Sequence, residues 1–317
     1  ALPVCSPLCH TGSFRMPLVL TLIGAPNELA LGERALRQVA QDLAAADIQA
    51  SAPVWLSEGE AADFELIGSD RDTVMSIASH AVAGSNVDIG VQPAVRRRKR
   101  LLVADMDSTI IQQECIDELA DAMGLRDEVS RITERAMRGE IDFEEALRGR
   151  AAMLAGLDAT AMETVYLERI RLTPGAKTLV ATMRANGAVT ALVSGGFTFF
   201  TQRIRERAGF DIDQANELLI DGNGQLSGQV AAPILGRAAK LRALKDISAE
   251  KGLDLNETMA VGDGANDLAM IEAAGLGVAF HAKPAVAAKA DVQVIHNDLT
   301  ALLFLQGYRR DEFITPD

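Results

Sequence analysis

The chain has 317 residues, of which 48% are hydrophobic, and carries a formal net charge of −13 at pH 7. This length exceeds what one compact core usually takes, so two cores are expected. The acidic charge argues against nucleic-acid binding as the main role, and no run reaches the ~18 apolar residues of a membrane span.

Residues 1–15 form the first segment and show neither helical nor strand periodicity. They hold two of the three cysteines, Cys5 and Cys9, and the third is Cys115. We expect a disordered or expression-derived tail, with Met16 as the natural start. Cysteines placed in this way predict no disulfide framework, as is typical of a reducing cytoplasm.

Residues 16–95 are predicted to form a small domain of their own. Their apolar patterns give a βαββαβ order, which indicates a ferredoxin-like α/β sandwich. This unit resembles an amino-acid-binding ACT domain. This unit could bind an amino acid or serve only for dimerisation, and the protein could therefore be a homodimer; these possibilities remain open. Strands are predicted at 17–24, 48–56, 61–68 and 86–92, and helices at 36–43 and 71–84.

A basic run at 96–100 lies directly before the next strand. In an acidic chain, a short run of like charges indicates a solvated linker between domains more than a site for polyanions. Pro93 just upstream supports a domain boundary there. The second domain is then expected over 101–317.

Residues 101–104 are apolar and run into Asp105 and Asp107, which predicts a buried parallel strand with polar residues at its carboxyl end. Side chains two apart in an extended segment point the same way, and open α/β sheets bind ligands at that edge. Two close carboxylates repel each other unless one is protonated or a cation lies between them. The pair therefore indicates a metal ion, an acid/base role, or both.

Residues 114–175 separate this strand from the next and are predicted to be helical. Apolar residues from Ile116 to Met123 recur at helical spacing, and Gly124 is expected to end that helix. Asp142 followed three residues later by a glutamate is typical of a capping box that opens another helix.

Two charged side chains of this insertion have ordinary interpretations from the pattern alone. Arg150 shares a helix side with Phe143 and Leu147, and its long side chain could carry the charge out to solvent. Glu114 could be an acidic residue favoured by the dipole at a helix N-terminus. Neither pattern requires a functional role by itself.

Two more apolar strands also end in polar residues. Ser194 precedes Gly195 and Gly196, and such a turn lets backbone N–H groups approach an anion closely. Asp263 ends the last of these strands and lies about one helical turn before Asp267. The carboxyl ends of all three strands are expected to meet at one edge of a sheet.

A hairpin and a helix are predicted between these two strands. Asn223 and Gly224 predict the turn of a hairpin within 218–230, which we interpret as structural. Lys240 lies on the helix and taken alone would be a solvated residue. Three strands that each end in a ligand-capable side chain, with a lysine between the last two, seldom arise by chance.

Together these segments resemble the haloacid dehalogenase-like phosphatases and, within them, the phosphoserine phosphatase family. The resemblance covers roughly residues 100–303. It implies a Rossmann-like parallel sheet with a helical cap at about 114–175. The residues that carry it are Asp105-Met106-Asp107-Ser108-Thr109, Glu114, Ser194-Gly195-Gly196, Lys240 and Gly262-Asp263-Gly264-Ala265-Asn266-Asp267.

The resemblance implies Mg²⁺-dependent hydrolysis of O-phospho-L-serine to L-serine and phosphate, the last step of serine biosynthesis. Asp105 would be the nucleophile that forms a phospho-aspartyl intermediate, and Asp107 the general acid and base. Lys240 would hold the nucleophile and the phosphate together. The implied Mg²⁺ ligands are Asp105, Asp263 and the backbone carbonyl of Asp107, with Asp267 as an outer ligand.

The same resemblance implies a set of substrate-binding residues. An arginine suits a carboxylate because its planar fork donates two parallel hydrogen bonds. The implied residues are Ser194, Gly195, Asn266 and Lys240 for the phosphoryl group, Arg150 for the carboxylate, Glu114 for the ammonium group, and Met137 and Phe143 as a cover over the substrate.

Two other functions remain open at this stage. One is a phosphatase or phosphotransferase of the same fold that acts on another small phosphate ester, which would not need both Glu114 and Arg150. The other is an amino-acid sensor with a vestigial catalytic domain, against which the intact Asp105 and Lys240 argue.

Overall fold

The computed structural model describes residues 16–26, 31–138 and 140–316, and the side chain of Met137 is also outside the described part. The tail predicted at 1–15 therefore lies outside the described residues. In the part that is described, no helix is both long enough and apolar enough to cross a membrane.

The N-terminal unit is an antiparallel sheet covered by two helices. The strand order is β2-β4-β1-β5, and β3 also pairs with β4. Alternate residues of β1, such as Leu20 and Leu22, are buried against Val39 and Leu43 of the first helix. The elements are β1 (Leu18–Gly24), α1 (Glu33–Ala45), β2 (Gln49–Ala50), β3 (Val54–Ser57), β4 (Ala61–Ile67), α2 (Arg71–Ala81) and β5 (Val87–Pro93).

The predicted element order of this unit is confirmed with one difference. The single strand predicted at 48–56 is two short strands, β2 and β3, separated by residues 51–53. Pro53 lies in that break, where it has no backbone N–H to give to a sheet. The topology is consistent with the ACT-like, ferredoxin-like arrangement that the sequence predicts.

The rest of the chain is built on a six-stranded parallel sheet of order β13-β12-β11-β6-β7-β8, with a separate hairpin β9–β10. Because β6 is central, its residues Leu101 to Ala104 are buried on both faces, which is why they read as a continuous apolar run. The strands are β6 (Leu101–Ala104), β7 (Val189–Phe197), β8 (Ile212–Asn216), β9 (Leu218–Ile220), β10 (Leu226–Val230), β11 (Thr258–Gly262), β12 (Leu276–Phe280) and β13 (Val292–Val294).

Among the described residues after β6, four α-helices form the helical cap and six more follow it. The first of these helices begins at Cys115 and ends at Asp121, before the predicted end at Gly124, and Met123 is 37% exposed beyond it. Asp142 accepts a hydrogen bond from the N–H of Glu145, as the capping pattern predicts. The helices are α3 (Cys115–Asp121), α4 (Arg126–Met137), α5 (Phe143–Met153), α6 (Thr160–Glu168), α7 (Ala176–Ala185), α8 (Thr198–Ala208), α9 (Arg237–Glu250), α10 (Leu268–Ala273), α11 (Pro284–Ala287) and α12 (Ala301–Leu305).

The basic run at 96–100 is solvated only in part, because Arg96, Arg98 and Arg100 are exposed whereas Arg97 and Lys99 are not. Arg97 donates to Asp63 of β4 at 2.8 Å and to the carbonyl of Leu305 at 2.7 Å. It therefore connects the N-terminal unit to the unit that is built on the parallel sheet. Lys99 is 7% exposed and donates to the carbonyl of Asn256 at 2.8 Å. The charge pattern does not predict the burial of Arg97 and Lys99, which is tolerable because the carbonyls of Leu305, at the end of α12, and of Asn256 accept their hydrogen bonds.

A second polar joint lies between β5 and the end of β13. The buried Asp88 carboxylate accepts from the backbone N–H groups of Ile295, His296 and Asn297 at distances of 2.9 to 3.2 Å. The Asn297 side-chain amide adds a further bond at 2.9 Å. Consecutive N–H groups that converge on one anion form a nest, so this joint is held by charge-assisted bonds.

We predict that Asp88→Ala lowers the free energy of unfolding by roughly 2–3 kcal/mol, because several buried N–H groups lose their acceptor. Urea unfolding followed by circular dichroism measures it. Glu58→Ala is the matched control, since it removes an exposed acidic side chain of the same unit and is expected to change stability by less than about 0.5 kcal/mol. Equal midpoints for the two variants would contradict the assignment.

Candidate active site

Three neighbouring strands bring their polar ends to one edge of the parallel sheet. β6 lies between β11 and β7, and in the register Ala104 is level with Val261 and Leu192. Asp105 therefore follows β6 directly beside the end of β11, and its N–H donates to the carbonyl of Val261 at 3.0 Å. Ser194, within β7, lies close by on the other side. This is the edge at which open α/β sheets bind ligands.

The segment after β6 folds back tightly and fixes the two aspartates. The N–H of Met106 donates to Asp105 Oδ1 at 2.8 Å. Ser108 adopts a φ of 54°, in the left-handed region, which turns the chain through one wide loop. The Asp107 carboxylate accepts from the N–H of Cys115 at 2.8 Å and from the hydroxyl of Ser194 at 3.2 Å.

A buried lysine joins two of the acidic residues. Lys240 Nζ lies 2.6 Å from Asp105 Oδ1 and 2.6 Å from Asp267 Oδ1, and all three side chains are at most 2% exposed. Burial alone would lower the pKa of Lys240, but the two carboxylates outweigh it and raise that pKa. A Cβ at Gly262 would collide with the carboxyl group of Asp267, so a glycine is needed for this close approach.

The carboxylates of Asp105, Asp263 and Asp267 form a compact buried cluster, in which one oxygen of each lies within 4.8 Å of the others. Burial, followed by the charge of Asp105, raises the pKa of Asp267 to about 7. Burial and the nearby Asp267 raise the pKa of Asp263 well above its usual value. One lysine does not balance three carboxylates, so these oxygens could hold a hard divalent cation.

The Asp107 carboxylate is not part of that cluster and contacts the Cys115 N–H and the Ser194 hydroxyl instead. Burial, and then the charge of Asp105, raises the pKa of Asp107 to about 6. The Ser194 hydroxyl that contacts it also accepts from the N–H of Gly196 at 2.8 Å. A Cβ at Gly196 would lie 2.7 Å from Asp107 Oδ2, so the second glycine of the motif leaves room for that carboxylate.

A small pocket connects these groups to the cap. Asn266 lines it, and its buried side-chain oxygen is without a hydrogen-bond partner among the described residues. A buried acceptor left unpaired in this way is expected to receive a donor from a ligand or water. The pocket is lined by Asp105, Asp107, Glu114, Ile116, Phe143, Leu147, Arg150, Ser194, Gly195, Gly196, Phe197 and Asn266.

The cap contributes a buried guanidinium, a partly buried carboxyl group and an aromatic ring to this pocket. Arg150 is 4% exposed, so it does not extend to solvent as the helix pattern alone would allow. Glu114 accepts from the hydroxyl of Ser108 at 2.7 Å, and burial, followed by the charge of Asp107, raises its pKa well above the usual value. Phe143 packs so closely over Gly195 that a Cβ there would lie 2.6 Å from the ring.

The structure thus brings together nearly every site residue predicted from the sequence. The exception is Met137, whose side chain lies outside the described residues although its backbone ends α4. The sequence reasoning missed the apolar wall of the pocket, formed by Ile116, Leu147 and Phe197. Leu147 carried a signal, because it lies on the same helix side as Arg150.

Comparison with known proteins gives relatives along most of the chain. A family model described as haloacid dehalogenase-like hydrolase matches residues 102–272. A phosphoserine phosphatase of Streptomyces coelicolor is 45% identical over 259 residues, which is 81% of this chain. The chain spans only 63% of that relative's own length.

Two shorter relatives are matched over almost their whole length. A phosphoserine phosphatase of Albidiferax ferrireducens is 46% identical over 231 residues, which is 71% of this chain and 97% of that protein. A solved structure described as a phospho-aspartyl intermediate analogue of phosphoserine phosphatase is 40% identical, with a TM-score of 0.63. The match covers 65% of this chain and 98% of the chain in that structure. Since the family model matches more than half of the sequence, the chain belongs to the haloacid dehalogenase-like hydrolases.

Proposed function

We propose that the protein is a Mg²⁺-dependent phosphatase that hydrolyses O-phospho-L-serine to L-serine and phosphate, and that it acts in serine biosynthesis in the cytoplasm. The observation that carries this proposal is a single buried pocket with two chemically different ends. One end holds Asp105, which Lys240 contacts from outside the pocket lining, and the other holds Arg150 and Glu114. A phosphate ester of a zwitterionic amino acid offers partners to both ends.

Asp105 is the proposed nucleophile. Its carboxylate attacks phosphorus, the bond from phosphorus to the serine oxygen breaks, and a phospho-aspartyl intermediate forms. Lys240 holds one carboxylate oxygen in place at 2.6 Å and supplies positive charge where the phosphate arrives. Bound Mg²⁺ would be held by Asp105, Asp263, the Asp107 carbonyl and Asp267, and would offset the repulsion between the carboxylate and the phosphate dianion.

Asp107 is the proposed general acid and base. With its pKa raised to about 6, it can carry a proton near neutral pH and give it to the departing serine oxygen. It then takes a proton from the water that attacks the phospho-aspartyl group, which returns Asp105 as a free carboxylate and releases phosphate. Ser194, Gly195 and Asn266 bind the phosphoryl oxygens in this scheme.

The cap selects the amino-acid part of the substrate. Arg150 binds the carboxylate and Glu114 binds the ammonium group, while Phe143 and Met137 cover the bound substrate. The assignment of Arg150 to the substrate carboxylate rests on its burial and on its lack of any ion-pair partner within the described residues. A buried guanidinium without a carboxylate is poorly compensated until a substrate supplies one.

We also propose that the chain comprises an ACT-like domain at 16–95 and a phosphatase domain at 101–317, with the cap at about 114–175. Whether the first domain binds an amino acid or forms a homodimer stays a prediction.

We predict that Asp105→Asn abolishes phosphoserine hydrolysis, because an amide cannot form the phospho-aspartyl intermediate. Steady-state phosphate release and acid quench with radiolabelled substrate measure it. The wild-type protein should retain label and the variant should not. Asp127→Asn, which changes an exposed aspartate of the cap, should behave as the wild type. Labelled protein recovered from Asp105→Asn would rule out this nucleophile.

We predict that Mg²⁺ raises the melting temperature, and by more at pH 8 than at pH 5. The pKa values of Asp263 and Asp267 are raised, so the folded chain holds protons that the unfolded chain releases above the usual carboxyl pKa. That contribution to stability is present at low pH and is lost as pH rises towards about 7, where the ionised cluster then favours a cation.

Differential scanning calorimetry with Mg²⁺ or with chelator at each pH measures this effect. At saturation we expect a shift of roughly 5 °C at pH 8. Asp263→Asn should lose most of the shift and Asp127→Asn should keep it. A shift that is the same at both pH values would contradict a carboxylate site that exchanges protons for the cation.

We predict that Arg150→Lys lowers kcat/KM for phosphoserine by roughly 10- to 100-fold, because a bidentate contact with the carboxylate is lost. Arg148→Lys, an exposed arginine on the same helix, is the matched control and should change little. A panel with phosphoserine, phosphothreonine and sugar phosphates completes the test. Preferred turnover of a sugar phosphate would contradict the proposed substrate.

A further inference from the structure

Three helices of the cap are joined by a buried chain of polar side chains. Asp117 lies on α3, Thr133 on α4 and Arg150 on α5. The Thr133 hydroxyl oxygen lies 2.8 Å from Arg150 Nη1 and 2.7 Å from Asp117 Oδ1. All three side chains are buried.

The chemistry of the groups fixes the direction of these hydrogen bonds. A guanidinium only donates, so the Thr133 oxygen accepts from Arg150. The single hydroxyl hydrogen of Thr133 then goes to the Asp117 carboxylate at 2.7 Å in preference to the Val129 carbonyl at 3.0 Å, because a charged acceptor binds more strongly. Ser130 donates to the other oxygen of Asp117 at 2.7 Å.

The guanidinium of Arg150 is oriented by two contacts. Its Nε donates to the carbonyl of Ala146 in its own helix at 3.2 Å, and its Nη1 donates to Thr133. A planar group held at two points has a fixed plane. The guanidinium has five N–H groups, so donors remain for a ligand on the side that lines the pocket.

We propose that Thr133, oriented by Asp117, is a positioning residue that presents Arg150 to the substrate carboxylate; this rests on the proposed function. The hydroxyl stands between the buried cation and the buried anion. It therefore holds the guanidinium in place without a direct ion pair, which would occupy two parallel N–H donors that a substrate carboxylate needs. The network thereby sets the preference for phosphate esters that carry a carboxylate.

The test compares two substrates that differ only in the carboxylate, phosphoserine and phosphoethanolamine. The readout is the ratio of their kcat/KM values, together with KM and kcat for phosphoserine. Thr133→Val keeps the shape of the side chain and removes the hydroxyl. We expect it to lower the ratio by about 10-fold through KM for phosphoserine, with kcat changed by less than about three-fold.

Two further variants separate positioning from simple packing of the cap. Thr133→Ser keeps the hydroxyl and should restore the ratio to within about two-fold of the wild type. Ser130→Ala removes the other hydroxyl on the same Asp117 carboxylate but does not contact Arg150. It should lower the melting temperature about as much as Thr133→Val, and leave the substrate ratio unchanged.

The outcomes distinguish this inference from the function on which it rests. A wild-type enzyme that does not prefer phosphoserine to phosphoethanolamine would overturn both. A wild-type enzyme with that preference, combined with a Thr133→Val variant that loses activity equally on both substrates, would overturn the positioning role alone. A Ser130→Ala variant that loses the preference as strongly as Thr133→Val would also overturn it.

Discussion

The site depends on the two ion contacts of Lys240, one with Asp105 and one with Asp267. Without that cation, three carboxylates would meet in a buried space and repel one another. The lysine comes from α9, whereas the acids follow β6 and β11, so the pair of ion contacts also ties a flanking helix to the sheet edge. A buried ion pair of this kind is weak evidence of stabilisation. We infer that the ion pair serves to hold the carboxylate of Asp105, the proposed nucleophile, in one orientation.

The two ends of the pocket rely on different parts of the fold. The sheet edge supplies rigid strand ends and short turns, and its groups are suited to any phosphate ester. The cap supplies Arg150, Glu114 and Phe143 from the segment between β6 and β7. Side-chain contacts, such as that of Phe143 with Gly195, hold this segment against the sheet edge. In the proposed mechanism, selectivity and reactivity therefore depend largely on different side chains.

The sequence was informative where a local pattern determines the position of a side chain. A buried strand that runs into Asp105 and Asp107 can be recognised from the chain alone, because period and hydrophobicity decide it. The burial of Arg97 and Lys99 could not, since the acceptors that they reach, such as Asp63, Leu305 and Asn256, lie in other elements 34 or more residues away along the chain. The role proposed for Thr133 was hidden although its partners lie only 16 and 17 residues away, because no helical spacing connects residues of three separate helices. A threonine in a helix is ordinary until the packing of three helices places it beside a buried arginine.

Hydrogen bonds and a short backbone segment connect the N-terminal unit to the acidic cluster. Asp88 holds the N–H groups of residues 295–297. The carbonyl of Asn297 contacts His281 Nε2 at 2.9 Å, directly after β12. Two residues later, the N–H of Lys283 donates to the carbonyl of Asp263 at 3.0 Å. Because segments held by packed partners keep a narrower range of positions than free ones, we expect the docked N-terminal unit to restrain the segment that contacts the Asp263 carbonyl.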